Sequence, residues 1–149
     1  MADVAFYHLQ KAKLEDALPM LLERTLESGN RALVLAGSEQ RVEALAERLW
    51  TYRSDSWLPH GTARDGDAED QPIWLTARDE NPNGALFLFL TDGAESARIH
   101  LFTRGFDLFD GNDDAAVAAA RARWQTLKSA GHVLTYWRQG ERGGWERHA

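Results

Sequence analysis

The first part of the chain alternates short apolar runs with segments whose apolar residues recur every three or four positions. Residues 4–9 and 31–37 are apolar and rich in strand-forming residue types, so they predict two β-strands. Residues 14–28 and 39–50 carry leucines at helical spacing, which predicts two amphipathic helices. Because strands and helices alternate, the pattern favours a parallel sheet with right-handed crossovers.

Capping residues and a proline refine the predicted ends of these two helices. Gly29 follows the first helical segment as a C-cap, and Ser38 precedes the second as an N-cap. Pro19 lies awkwardly inside the first segment because it lacks a backbone N–H. Since proline is tolerated in a first helical turn, the regular part of this helix is expected to begin near residue 17.

After residue 50 the pattern is less regular but still predicts one α/β domain. Residues 51–71 read as a long loop, and the very apolar residues 85–91 as a central strand. The remaining predicted elements are strands at 72–76, 104–109 and 132–138, a short helix at 94–102, and a helix at 114–130 between Asp113 and Gly131. We therefore expect a single three-layer α/β domain over residues 1–139, with a mostly parallel sheet between helices, and a flexible tail at 140–149.

Composition narrows the classes of function. The 149 residues include 23 acidic and 17 basic side chains, and the net charge of −6 disfavours a broad face that binds nucleic acid directly. Six of the basic residues fall in the last 30 positions, which leaves room for a local basic patch. The absence of cysteine excludes disulfides, and neither a signal peptide nor a membrane span is indicated. A cytoplasmic protein without membrane contact is the expectation.

No catalytic or cofactor motif is present. The strand-to-helix turn LAGSEQ contains one glycine, Gly37, and lacks the glycine and lysine pattern of a phosphate loop. The five histidines form no close ligand pair, and no nucleophile elbow occurs, so no metal, cofactor or catalytic residue is assigned. A small nucleotide-binding enzyme with a degenerate phosphate loop remains the alternative function.

One stripe of the late helix combines apolar and basic side chains. Val117, Arg121, Trp124 and Lys128 follow one another at spacings that bring them onto one face. On one interpretation Trp124 belongs to the core and the two cations are merely its solvated neighbours. On the other, an apolar spot between two positive charges binds the carboxyl end of an acidic peptide.

A second unusual stretch is LWTYRSDSWLPHG, residues 49–61, which puts Trp50 and Trp57 where the pattern predicts a loop. Both indoles are consistent with capping of the sheet edge as ordinary core residues. They are also consistent with a partner surface held by a turn at Pro59, because tryptophan is enriched at binding hot spots.

In its order of motifs the chain resembles the chi subunit of bacterial DNA polymerase III. The residues that carry the resemblance are Phe6-Tyr7, Gly29 and Arg31 before ALVLA, Leu49-Trp50, Trp57-Leu58-Pro59-His60, and Ala130-Gly131. The resemblance implies a Rossmann-like fold without a phosphate loop. It also implies a non-catalytic adaptor of the clamp loader, which binds the psi subunit on one surface and the acidic, phenylalanine-ended tail of single-stranded-DNA-binding protein on another. A repair helicase is a further partner that the resemblance suggests.

The resemblance also assigns residues to these partners. Trp50 and Trp57, with Pro59, match the psi or helicase surface. Arg121, Trp124 and Lys128 match the tail site, and Val117 stands where some family members have a lysine. We expect Arg123 or Lys128 to replace that missing charge.

Overall fold

The computed structural model describes residues 1–53, 58–142 and 144–149. This part of the chain contains three α-helices and seven β-strands. In chain order they are β1 (Asp3–Leu9), α1 (Leu14–Glu27), β2 (Ala32–Leu35), α2 (Glu39–Thr51), β3 (Ile73–Thr76), β4 (Phe87–Leu90), β5 (Arg104–Asp110), α3 (Asp114–Ser129), β6 (Val133–Gln139) and β7 (Trp145–Arg147). Two 3₁₀ turns cover Ala68–Asp70 and Ile99–Leu101, so the short helix predicted at 94–102 is reduced to one turn.

The strands form one sheet in the order β3-β2-β4-β5-β1-β6-β7. Every neighbouring pair is parallel except β6 and β7, which are antiparallel. Strand β4 has a neighbour on each side, as its apolar sequence predicts. The predicted mostly parallel sheet is therefore confirmed.

Helices cover both faces of the sheet. Residues of α1 and α2, such as Leu18 and Leu45, pack with one set of strand side chains that includes Val34. Ala120 and Trp124 of α3 pack with the opposite set, which includes Phe6. Side chains alternate between the two faces along each strand, so two apolar clusters form and the domain has three layers.

Helix α1 differs from the prediction at its start. It begins at Leu14 and runs through Pro19, rather than beginning near residue 17. Proline removes the N–H that would bond to the carbonyl of Glu15. In the structure Arg48 of α2 donates to that carbonyl from Nε at 3.2 Å, which compensates for the lost helical hydrogen bond.

The segment 140–149 also differs from the expected flexible tail. Residues Trp145–Arg147 form β7 and pair with Trp137–Gln139 of β6. The indole of Trp145 packs edge-on against Tyr7, with ring centroids 4.9 Å apart and planes at 82°. This apolar contact and the strand pairing hold residues 145–147 against the sheet.

Candidate partner-binding surfaces

The end of α2 presents an exposed aromatic ring. Trp50 is 67% exposed, and its ring lies 4.8 Å from that of His60 between centroids. His60 is buried, and its Nδ1 donates to the carbonyl of Leu58 at 2.7 Å. Gly61 then joins the edge of the sheet beside β3, with its N–H bonded to the carbonyl of Ile73 at 3.0 Å. The sheet edge and the His60 ring thus support an indole that is not part of the core.

The other two residues assigned to the psi or helicase surface are Pro59 and Trp57, and the structure describes only the first of them. Pro59 is half-buried between Leu58 and His60. Trp57 lies outside the described residues, so the prediction for it remains a prediction. The interpretation of both indoles as core is wrong for Trp50, since two thirds of that residue contacts solvent.

Helix α3 covers the opposite face of the sheet. The Asp113 side chain accepts hydrogen bonds from the N–H groups of Ala115 and Ala116, which caps the amino end. Gly131 follows the carboxyl end at φ +90°, a conformation that favours glycine. These two ends place the helix over β5 and β6.

Trp124 connects α3 to the sheet but is not sealed beneath it. It is half-buried, and its ring meets Phe6 of β1 at 5.3 Å and Tyr136 of β6 at 6.0 Å, both edge to face. Val117 and Leu127 of α3 are also half-buried beside the same apolar cluster. The indole therefore supports the core with part of its surface and leaves another part open to solvent.

We call this region the α3–β6 surface. It consists of Val117, Arg121, Trp124 and Lys128 of α3 together with Leu134, Tyr136 and Arg138 of β6. Arg121 and Lys128 are both exposed. Neither forms an ion pair with another residue in the described parts of the chain. The surface thus combines an apolar floor with positive charges that no carboxylate of the described protein neutralises.

The neighbouring Arg123 has a different role. Its Nε and Nη2 atoms donate to the two carboxylate oxygens of Asp107 at 2.7 and 2.9 Å, and the two side chains are only 8% and 2% exposed. Burial raises the pKa of the Asp107 carboxyl, and the Arg123 guanidinium opposes that rise. The expectation that Arg123 replaces the missing charge at Val117 is therefore wrong, because this guanidinium is committed to an ion pair under the helix.

Three residues of this region were missed at the sequence level: His8, Tyr136 and Arg138. The Nδ1 atom of His8 shares a hydrogen bond of 2.6 Å with the Tyr136 hydroxyl, and Arg138 is opposite His8 in the β1–β6 register. Burial lowers the pKa of the His8 imidazole, and the guanidinium groups of Arg138 and Arg121 lower it further. Leu134, Tyr136 and Arg138 are two residues apart, so the sequence could have put them on one face of a strand. It could not have put that face beside α3.

A separate crevice of about 790 Å³ opens where β1 and β5 end and where α1 and α3 begin. In doubly wound sheets this position commonly binds ligands. Here Asp92 accepts from the N–H of Gly37 at 3.2 Å and pairs with Arg41 at 3.2 Å. Oε1 of Gln139 accepts from the three consecutive N–H groups of residues 10–12 at 3.0 to 3.3 Å. Oxygens of the protein itself thus occupy backbone donors of the kind that bind phosphate.

The described residues also lack two kinds of feature. No helix in this part of the chain is both long and apolar enough to cross a membrane. No group of three or more histidine, aspartate or glutamate side chains is arranged there to hold a metal ion.

Comparison with known proteins identifies the family. The family model of the DNA polymerase III chi subunit, HolC, matches residues 1–135. The chain belongs to the DNA polymerase III chi subunit family. This finding confirms the resemblance drawn from the sequence motifs, and it makes the protein a chi-family subunit associated with DNA replication.

Two relatives illustrate how far the similarity extends. The chain is 27% identical over 144 residues to DNA polymerase III subunit chi of Escherichia coli (strain K12), covering 90% of this chain and 96% of that protein. It is 29% identical over 99 residues to the "Probable DNA polymerase III subunit chi" of Rickettsia prowazekii (strain Madrid E), covering 66% of this chain and 60% of that protein. The chi family match includes Trp50 and all of α3 but ends before Arg138.

Proposed function

We propose that this chi-family subunit is a non-catalytic adaptor that binds the acidic C-terminal tail of single-stranded-DNA-binding protein on the α3–β6 surface. The observation that carries this proposal is the half-buried Trp124 with exposed Arg121 and Lys128 on the same helical face. An acidic peptide that ends in phenylalanine offers an apolar group for Trp124 and negative charges for the two cations. Its aromatic side chain packs against Trp124 and Val117, and its carboxylates pair with the two cations.

Val117 changes the balance between apolar packing and ion pairing at this surface. A valine at this position adds apolar area beside Trp124 but no charge. Because Arg123 is paired with Asp107, the acidic residues of the tail depend on Arg121 and Lys128. We therefore expect micromolar affinity that weakens with added salt, since exposed charges are screened.

Trp50 and Pro59 support a second part of the proposal, in which the end of α2 binds the psi subunit or a repair helicase. A solvent-exposed indole braced by a buried ring is a suitable hot spot, because its position is fixed before the partner arrives. Trp57 belongs to this proposed surface as well. Since α2 and α3 cover opposite faces of the sheet, two partners can bind without competing for the same area.

The alternative, a nucleotide-binding enzyme, is supported less well. A phosphate would need free N–H donors at a strand-to-helix turn. In the crevice region the Gly37 N–H already bonds to Asp92, and residues 10–12 donate to Gln139. A nucleotide phosphate would have to displace the Asp92 or Gln139 side chain before it could bind these N–H groups.

Calorimetric titration with an acidic peptide that ends in phenylalanine tests the first surface. The parent protein should bind at micromolar strength, and Arg121→Ala should weaken binding at least tenfold by removing a charged hydrogen bond, an effect of about 1.5–3 kcal/mol. Arg64→Ala is a matched control. Arg64 is also exposed, but it pairs with Glu43 at 2.8 Å on α2, and α2 covers the face of the sheet opposite to α3. Equal affinity of the Arg121→Ala variant and the parent would exclude this surface as the tail site.

Pull-down of psi tests the second surface. Trp50→Ala should fold normally, since the ring is mostly exposed, and should capture markedly less psi because truncated hot spots typically cost about 2 kcal/mol or more. Trp57→Ala should behave in the same way. Undiminished capture by both folded variants would rule out the end of α2 as the psi site.

A further inference from the structure

Arg123 uses only one edge of its guanidinium in the ion pair beneath α3. Its Nε and Nη2 atoms donate to Asp107 at 2.7 and 2.9 Å. A guanidinium has five N–H groups, so three remain, two on Nη1 and one on Nη2. Nη1 has no hydrogen-bond or ion-pair partner in the described parts of the chain, although the side chain is only 8% exposed. One edge of a nearly buried cation is therefore left without an acceptor.

This free edge faces the crevice of about 790 Å³ at the ends of β1 and β5. Arg123 and Gly93 both line that crevice, and Nη1 is the atom nearest to the position that a Cβ on Gly93 would occupy, at 3.8 Å. Nη1 is not fully enclosed by the protein, so a ligand in the crevice can reach it. Because residue 93 has no side chain, the approach to these N–H groups stays open.

The walls beside the guanidinium are apolar. Leu9 and Phe109 line the crevice from the last residues of β1 and β5, and Ala116 and Ala119 line it from α3. Small-molecule sites are typically concave, measure roughly 300–1,000 Å³ and combine apolar walls with a few polar groups. The crevice thus has room for an apolar body next to one charged group.

The other donors of the crevice are already committed to oxygens of the protein. Arg41 pairs with Glu15 at 3.1 Å and with Asp92 at 3.2 Å, and the backbone donors nearby bond to Asp92 and Gln139. A phosphate group, which depends on several donors around it, is therefore poorly served. A carboxylate can be bound by the two parallel N–H groups of a single guanidinium edge, so it is the anion that fits Arg123.

Charges at the mouth of the crevice are nearly balanced. Lys11 and Lys13 are exposed there and form no ion pair in the described parts of the chain. Asp110 and Asp113 also line the crevice, and both accept hydrogen bonds from backbone N–H groups in the loop after β5 or at the start of α3. The preference for an anion therefore comes from the guanidinium inside the crevice rather than from the mouth.

We propose that the crevice binds a small carboxylic acid with an apolar body, whose carboxylate bonds to the Nη1–Nη2 edge of Arg123. The ion pair with Asp107 stays in place because it uses the other edge of the guanidinium. Asp107 thereby fixes the orientation in which Arg123 meets the ligand. No residue of the α3–β6 surface lines the crevice, so this site is separate from the proposed adaptor surface.

NMR titration of isotopically labelled protein with phenylacetate tests the inference. Phenylacetamide is the matched probe, because it keeps the apolar ring and replaces the charged carboxylate with a neutral amide. In the parent protein, phenylacetate should cause saturable shifts of the Gly93 amide signal and of the signals at the start of α3. Phenylacetamide should bind at least about tenfold more weakly, since it cannot form the charged hydrogen bonds.

Three variants locate the carboxylate and the ring. The double replacement Arg123→Met with Asp107→Leu removes the guanidinium and leaves an apolar pair, so it should lose the preference for phenylacetate over phenylacetamide. Ala119→Phe should fill the crevice and weaken binding of both probes, because residue 119 lines the crevice and is exposed. Arg121→Ala, on the outer side of the same helix, should change neither. Circular dichroism should show that each variant is folded.

Four results would overturn the inference. They are a parent protein whose crevice signals show no saturable shift, equal affinity of the parent for the two probes, a double variant that keeps the parent's preference, and unchanged binding by Ala119→Phe. If the double variant does not fold, the comparison of probes in the parent and the Ala119→Phe variant still decide. All of these outcomes bear on the crevice alone, because titration with the acidic peptide tests the α3–β6 surface separately.

Discussion

Replacing Arg123 with alanine tests whether the ion pair beneath α3 is as closed to solvent as its geometry indicates. The guanidinium makes two hydrogen bonds to Asp107, and the two side chains are 8% and 2% exposed. Removing one partner of such a pair leaves the other charge buried without compensation, which typically costs about 3–5 kcal/mol. For a domain of this size that corresponds to a melting temperature lower by roughly 6–20 °C.

Urea denaturation measures this change in the free energy of unfolding. Arg121→Ala is the matched control, two residues along the same helix, and should stay within about 0.5 kcal/mol of the parent because its side chain is exposed. The double replacement Arg123→Met with Asp107→Leu should recover most of the stability, since apolar groups of similar volume can replace a buried pair. A loss of less than about 1 kcal/mol for Arg123→Ala would refute the reasoning, because solvent must then reach the Asp107 carboxylate.

Three further predictions concern the packing around the two surfaces. Gly111→Ala should lower the free energy of unfolding by about 1–3 kcal/mol in urea denaturation, because the added methyl group collides with the His8 ring. Acid titration of stability should show a loss as the pH falls below about 6.5, since the unfolded chain binds a proton that buried His8 does not, and His8→Gln should reduce this loss. Arg48→Met should destabilise the protein by about 1–3 kcal/mol in thermal melts, because the Glu15 carbonyl freed by Pro19 then loses its donor.

The local elements could be predicted because hydrophobic periodicity depends only on neighbours in the chain. Val42, Leu45 and Leu49 are buried at the spacing that predicts α2. The start of α1 could not be predicted, because the tolerance of Pro19 depends on Arg48 from another helix. Strand β7 was missed for a similar reason, since Trp145 gains its packing only through Tyr7 at the other end of the chain.

The candidate site shows the same division between local and distant information. Trp124, Arg121 and Lys128 could be grouped because they share one helix. Tyr136 could not be added, since its contact with Trp124 requires β6 to pair with β1 beneath α3. Arg123 resembled its exposed neighbours in sequence, and only the position of Asp107 on β5 determines that it is buried. Residues brought together by strand order are therefore the ones that sequence reasoning missed.

The most direct test of the central claim is an NMR titration of isotopically labelled protein with an acidic peptide that ends in phenylalanine. We expect the indole signal of Trp124 and the amide signals of α3 and β6 to shift in proportion to occupancy, while the indole signal of Trp50 remains in place. Shifts centred on Trp50 or on the crevice between α1 and α3, with the Trp124 signal unmoved, would contradict the proposed binding surface.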